Sequence, residues 1–263
     1  MTTVGSVMRG VDKLTLATPE DPKSWTELSF GDANTQPGTV AFSGDDDLQL
    51  LQRFQGNQAQ VVWMECKGDC TSAQNYVQSE VLWSVQFPEL PVTDIAITSK
   101  GAPRILMYSA DPNGASNVKY LYYLACDSAC DKAASWTTTQ LPIGTGLAYN
   151  GFAFALGSKD QPVLGYLSDT SLGYATCTGD CAQGTAWQAS AVVTALGLDR
   201  VYPPPIPAGC LGAIWLMDWG PGLALDASDR PLLSFAARET AADRTYDGAV
   251  CDYIAEAAFL VMP

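Results

Sequence analysis

The strongest constraint on this chain is a pattern that occurs three times. Trp63, Cys66, Cys70 and Tyr76 stand at spacings that recur as Tyr123, Cys126, Cys130 and Trp136, and again as Tyr174, Cys177, Cys181 and Trp187. Each copy places an aromatic residue three before the first cysteine, closes a Cys-x3-Cys, and places a second aromatic six after it. Self-similarity of this kind marks a repeat architecture, in which each unit covers its apolar face only against its neighbours. One domain over residues 1–263 is therefore expected.

The surrounding sequence repeats with the cysteines. Full units run over 38–83, 93–141, 150–193 and 220–262, preceded by a half unit at 11–30 and interrupted by an insertion at 194–219. Each full unit reads as four short alternating runs, the first two separated by a turn rich in Gly, Ser and Asp. Turn prolines at 103, 162 and 231, with Asp47 in the same slot, lie 56, 59 and 69 residues apart. No stretch of 12 or more residues carries helical periodicity. The pattern predicts an all-β fold, a β-propeller of four-stranded antiparallel blades clipped by disulfides. Four full units and the half unit suggest five blades, with four as the alternative. In the half unit, Trp25 precedes a strand-like run to Phe30, which could complete a sheet begun at the other end of the chain.

Eight cysteines invite disulfides or thiolate metal sites. Equivalent positions on successive repeats are too far apart to share one zinc, so each pair is expected to close on itself: Cys66–Cys70, Cys126–Cys130 and Cys177–Cys181. Cys210 and Cys251 remain and are expected to pair with each other. By chain entropy a five-residue loop stabilises by roughly 2 kcal/mol and the 210–251 loop by about 4 kcal/mol. Disulfides at this density imply an oxidising compartment: secreted, extracellular or periplasmic. The first residues, Met1 to Met8, lack the apolar stretch of a signal peptide, which suggests a leader already removed or a chain cut from something longer.

Charge and composition exclude several functions. A net charge of −14 and an isoelectric point near 4.2 argue against nucleic acid and anionic membrane surfaces. No apolar run is long enough to span a bilayer as a helix. The chain contains no histidine. That removes Ser-His-Asp triads, Cys-His pairs and histidine zinc sites, leaving carboxylates, Tyr and Lys for any catalysis.

With these motifs in hand, residues 36–262 resemble secreted bacterial β-propeller repeat proteins with Cys-x3-Cys units, and are similar in architecture to sialidase-type propellers. The resemblance implies an extracellular location and a ring of loops available for binding. It does not extend to the sialidase chemistry: Asp226-Ala-Ser-Asp229 is only a distant echo of the Asp-box. No spacing selects three substrate-clamping arginines from Arg53, Arg104, Arg200, Arg230, Arg238 and Arg244.

Two stretches stand out as candidate sites. The insertion carries Tyr202 before three prolines, then Trp215, Asp218 and Trp219 beyond Cys210. Read as a loop, it offers aromatic faces for apolar sugar or proline faces and a carboxylate for hydroxyls; the alternative is a plug that closes the last blade. Asp45, Asp46 and Asp47 offer hard oxygens of the kind calcium takes, although three consecutive acids cannot all face one ion; no other cofactor is implied. The leading expectation is a non-catalytic extracellular module that binds a carbohydrate or protein partner at the cell surface. The alternatives are a histidine-free glycoside hydrolase using a carboxylate pair and a structural surface or assembly subunit.

Overall fold

A computed structural model describes residues 35–43, 47–70, 72–86, 90–111, 118–143, 147–168, 171–201, 213–241 and 255–263. The chain divides into two units, Met1–Leu141 and Pro142–Pro263. The described residues are mostly strand, arranged in antiparallel sheets, two in each unit.

In the first unit, β1 (Thr35–Phe42), β2 (Leu48–Gln55), β3 (Ala59–Cys66), β4 (Tyr76–Gln78) and β5 (Trp83–Val85) form one sheet. The order is β1-β2-β3-β4, and β5 also pairs with β3. The run from Tyr76 to Trp83, expected as one strand, is thus split in two along β3. The second sheet is a plain meander of β6 (Val92–Ile97), β7 (Pro103–Ala110), β8 (Lys119–Ala125) and β9 (Thr137–Gln140). In the second unit β10 (Leu147–Leu156), β11 (Pro162–Ser168), β12 (Ser171–Cys177) and β13 (Trp187–Thr194) repeat that order. A short helix α1 (Ala195–Val201) follows, its first turn capped where the Gly197 N–H donates to Thr194 Oγ1 at 3.0 Å. Then β14 (Ala213–Leu225), β15 (Pro231–Ala241) and β16 (Ala255–Val261) form a three-stranded sheet.

Strand alternation decides what each sheet buries. From the first sheet Leu51, Val61, Trp63 and Trp83 face Ile95, Ile105, Met107, Tyr122 and Leu124 of the second. Trp83 stacks obliquely on Tyr122 with ring centres 4.6 Å apart, and Trp63 meets Trp136 edge-on at 6.0 Å. In the second unit Leu167, Leu172, Leu198, Leu233, Phe235 and Ala237 make the core, so α1 contributes Leu198 to it.

The hairpin turns within the sheets are copies of one another. Ser43, Thr98, Gly157 and Asp226 each donate a backbone N–H to the carbonyl four residues on, at 2.9 to 3.0 Å. Gly101, Asp160 and Asp229 take positive φ of 80°, 60° and 60° at the fourth residue. This is the three-residue hairpin that ends in a left-handed residue, a slot Gly fills freely and Asp tolerates. The turns correct the sequence register by one: Pro103, Pro162 and Pro231 correspond to Leu48, not to Asp47.

The last sheet brings a larger correction. Tyr246–Cys251, expected as its third strand, lies outside the described residues. Ala257–Met262, expected as the fourth, belongs to β16, which pairs directly with β15. Cys66, Cys126 and Cys177 stand opposite the first residue of β2, β7 and β11. The corresponding position opposite Pro231 falls at Pro263, because Leu233 pairs with Val261. Cys251, expected from the sequence in that first-cysteine slot, lies outside the described residues.

Candidate functional site

Each disulfide clip is built from contacts within a few residues. Cys66–Cys70, Cys126–Cys130 and Cys177–Cys181 are bonded, with Cα–Cα distances of 5.6, 5.8 and 5.7 Å. One turn of 3-10 helix follows in every copy: Ala73–Asn75, Ala133–Ser135 and Gly184–Ala186. The aromatic six residues beyond the second cysteine then turns back on the clip. Tyr76 OH donates to the Cys70 carbonyl at 3.1 Å, Trp136 Nε1 to Cys130 at 2.9 Å, and Trp187 Nε1 to Cys181 at 3.1 Å. Every copy of the slot thus holds an aromatic ring that carries a donor, Tyr or Trp and not Phe.

In the first unit, a clip and a hairpin turn enclose a groove of about 210 Å³. One wall comes from β3 and β4, with Trp63, Glu65, Lys67 and Val77; the other comes from the Lys100–Pro103 turn and the Asp127–Asp131 clip. Gln49 holds the two sheets at this spacing. It is fully buried, donates through Nε2 to the Gly101 carbonyl at 2.8 Å, and accepts from Trp63 Nε1 at 3.0 Å. Glu80 makes a second tie: its backbone N–H donates to Asp131 O at 3.1 Å, and its Oε2 accepts from the Ala133 N–H at 3.0 Å. Arg104 steadies the clip from below, donating to the Cys126 carbonyl at 2.9 Å and to Asp127 Oδ1 at 2.6 Å.

The charges of this groove are largely compensated. Lys67 pairs with Glu65 at 3.0 Å, Arg104 with Asp127, and Lys132 with Asp131 at 3.5 Å. Beneath it, burial pushes the Tyr123 phenol up to about 12, with the nearby Arg104 pulling the other way. The Tyr123 phenol therefore stays protonated at neutral pH. The second unit has a related junction: the Asp229 carboxylate accepts from Ser158 N at 2.8 Å, Ser158 Oγ at 2.6 Å and Gln161 Nε2 at 3.2 Å.

The residues singled out in the sequence fare differently. The six motif cysteines pair as expected. Cys210, Cys251, Tyr202, Asp45 and Asp46 lie outside the described residues. Asp47 closes its hairpin turn, its N–H donating to Ser43 Oγ at 3.1 Å and its carbonyl accepting from the Ser43 N–H at 2.9 Å. Among the described residues no three His, Cys, Asp or Glu side chains gather as metal ligands. Trp215, Asp218 and Trp219 sit within the strand β14, not in a loop; Trp215 pairs with Glu239 and Trp219 with Ala236, and the register shifts on either side of Trp219. Gln49, Glu80 and Lys100 went unnoticed in the sequence because their roles depend on the neighbouring sheet.

No family model matches the chain, and no curated protein or solved structure matches it either.

Proposed function

We propose that this chain is a non-catalytic extracellular module that binds a carbohydrate through the clip-side groove of its first unit. The observation that carries this reading is the groove itself: a small polar recess whose walls are fixed by a disulfide, a hairpin turn and the buried Gln49. A recess whose walls are already ordered loses little entropy when a ligand enters. Three disulfides in the described residues fit an oxidising compartment, and secretion is the corresponding location.

The architecture proposed with it is a β-propeller of the secreted bacterial repeat class. Its support is the recurrence of the same antiparallel meander, hairpin and clip.

Neither Asp226 and Asp229 nor three of the six candidate arginines lend support to a glycoside hydrolase. A glycosidase acid needs a carboxyl held above its ordinary value, whereas Asp226 and Asp229 are held below it by hydrogen bonds from Arg230 and Ser228, and from Ser158 and Gln161. Three of the six arginines that might clamp a substrate carboxylate are engaged in the fold: Arg53 with the Pro91 carbonyl, Arg104 with its clip and Arg230 with Asp226.

A glycan array probed with the labelled, non-reduced protein tests the proposal, with and without calcium. Selective binding without turnover of the bound sugar is expected. Turnover would overturn the non-catalytic reading, and a blank array would move the search to protein partners and a structural role.

A further inference from the structure

The groove is balanced in charge although the chain as a whole carries −14. Lys67 pairs with Glu65, Arg104 with Asp127 and Lys132 with Asp131. The two charges left over are opposite in sign: Lys100 in the lining, and Glu80 at its tie to the clip. At physiological ionic strength charges beyond about 8 Å are largely screened, so a ligand in the groove feels this local balance more than the acidity of the chain. A charged group placed there gains from one neighbour what it loses to the next, and still gives up its hydration. The groove therefore favours a ligand without net charge.

The lining narrows the chemistry further. Carboxylates only accept hydrogen bonds and ammonium groups only donate them, so the ligand must bring both functions, as every hydroxyl does. Trp63 and Pro103, the buried part of the lining, are apolar, and so is the exposed Val77; Lys67, Lys100, Asp127 and Ser128 are exposed and polar. A pyranose ring has the same division, with apolar C–H faces and a rim of hydroxyls. At about 210 Å³ the space lies below the roughly 300–1,000 Å³ of drug-sized sites, and is of the order of a single sugar ring.

We propose that the groove selects one uncharged ring of a neutral glycan and discriminates against uronic, sulfated and amino sugars. This rests on the reading of the groove as the binding face. The hydroxyl rim donates to the carboxylates of the walls and accepts from Lys67 and Lys100 without disturbing their balance.

The array binders, sorted by charge, test it first: uncharged glycans are expected to lead them. Calorimetric titration of the intact, oxidised chain then compares the strongest uncharged binder with its carboxylated and its aminated derivative. The uncharged oligomer is expected to bind about tenfold tighter than either, the cost of one charge stripped of its hydration. Its affinity should hold as salt is added. Val77→Arg and Ser128→Arg, at exposed positions on opposite walls, should each weaken it about tenfold while the unfolding midpoint stays unchanged. Binding led by charged glycans, a charged derivative as tight as its parent, or an affinity that falls with salt would each overturn the inference and leave the carbohydrate module standing. Binding indifferent to both variants, or a blank array, would remove the groove reading as well.

Discussion

The indole N–H of Trp187 donates to the carbonyl oxygen of Cys181 at 3.1 Å, and the same bond closes the clip in the other two copies from Trp136 and Tyr76. Trp187 is also buried, so its ring and its donor serve different ends: the ring packs, and the N–H satisfies a carbonyl that the tight clip leaves without a strand partner. Trp187→Phe keeps most of the apolar surface and removes the donor. It should lower stability by about 1 kcal/mol, more if the carbonyl stays dry, and Trp187→Tyr should recover part of this because Tyr76 fills the same slot. Urea denaturation checks it; a Phe variant as stable as the wild type would show that the aromatic is there for bulk alone.

The clips themselves should be measurable one at a time. Replacing Cys177 and Cys181 together by Ala is expected to cost roughly 2 kcal/mol, the chain-entropy worth of a five-residue loop. Alkylation of the unreduced, denatured protein followed by mass mapping should leave Cys66, Cys70, Cys126, Cys130, Cys177 and Cys181 unlabelled. Label on any of them would contradict the pairing.

Stability should fall at both ends of the pH scale, for different groups. Hydrogen bonds hold Asp226 and Asp229 below the ordinary value of 3.8. Their contribution is complete above that value and is lost as pH falls through the lowered ones, because the unfolded chain then takes up protons first. At the other end, burial pushes Tyr122 and Tyr123 up from 10.0 to about 12. Between these values the unfolded chain releases protons that the folded chain keeps, so stability drops as pH rises from about 10 to about 12. Urea midpoints at pH 3, 7 and 11 should be highest at 7. An acid limb of the same depth in the Asp226→Asn, Asp229→Asn double variant would sink the acid assignment.

Gly38 sits in the register shift of β1, where a Cβ would come within 2.6 Å of the Leu51 carbonyl oxygen and 2.9 Å of Leu51 Cβ. Leu51 belongs to the core between the two sheets of its unit and cannot give way freely. Gly38→Ala should therefore destabilise by about 1–3 kcal/mol. An unchanged midpoint in thermal unfolding would mean that β1 can slide on β2 without cost.

What the sequence alone determined is local. Disulfide pairing within Cys-x3-Cys and the hairpin turns at Thr98, Gly157 and Asp226 follow from contacts four or five residues long, and so do the strands of the first three full units apart from the split run between Tyr76 and Trp83. Alternation and turn chemistry are enough to specify those. The sequence went astray where a local cue was missing or ambiguous. Without a clip to mark the slot, β16 was read as a fourth strand though it is the third of its sheet. The stretch 213–219 was read as part of an inserted loop because it breaks the repeat, yet β14 runs through it by shifting register on β15. The groove was decided only by tertiary structure. Gln49 meets Gly101, and Glu80 meets Asp131 and Ala133, across about fifty residues of chain. A polar side chain on a strand looks the same in sequence whether it ends in solvent or on the next sheet. Only the packing of that sheet, which buries Gln49 and leaves Lys100 exposed, tells the two apart.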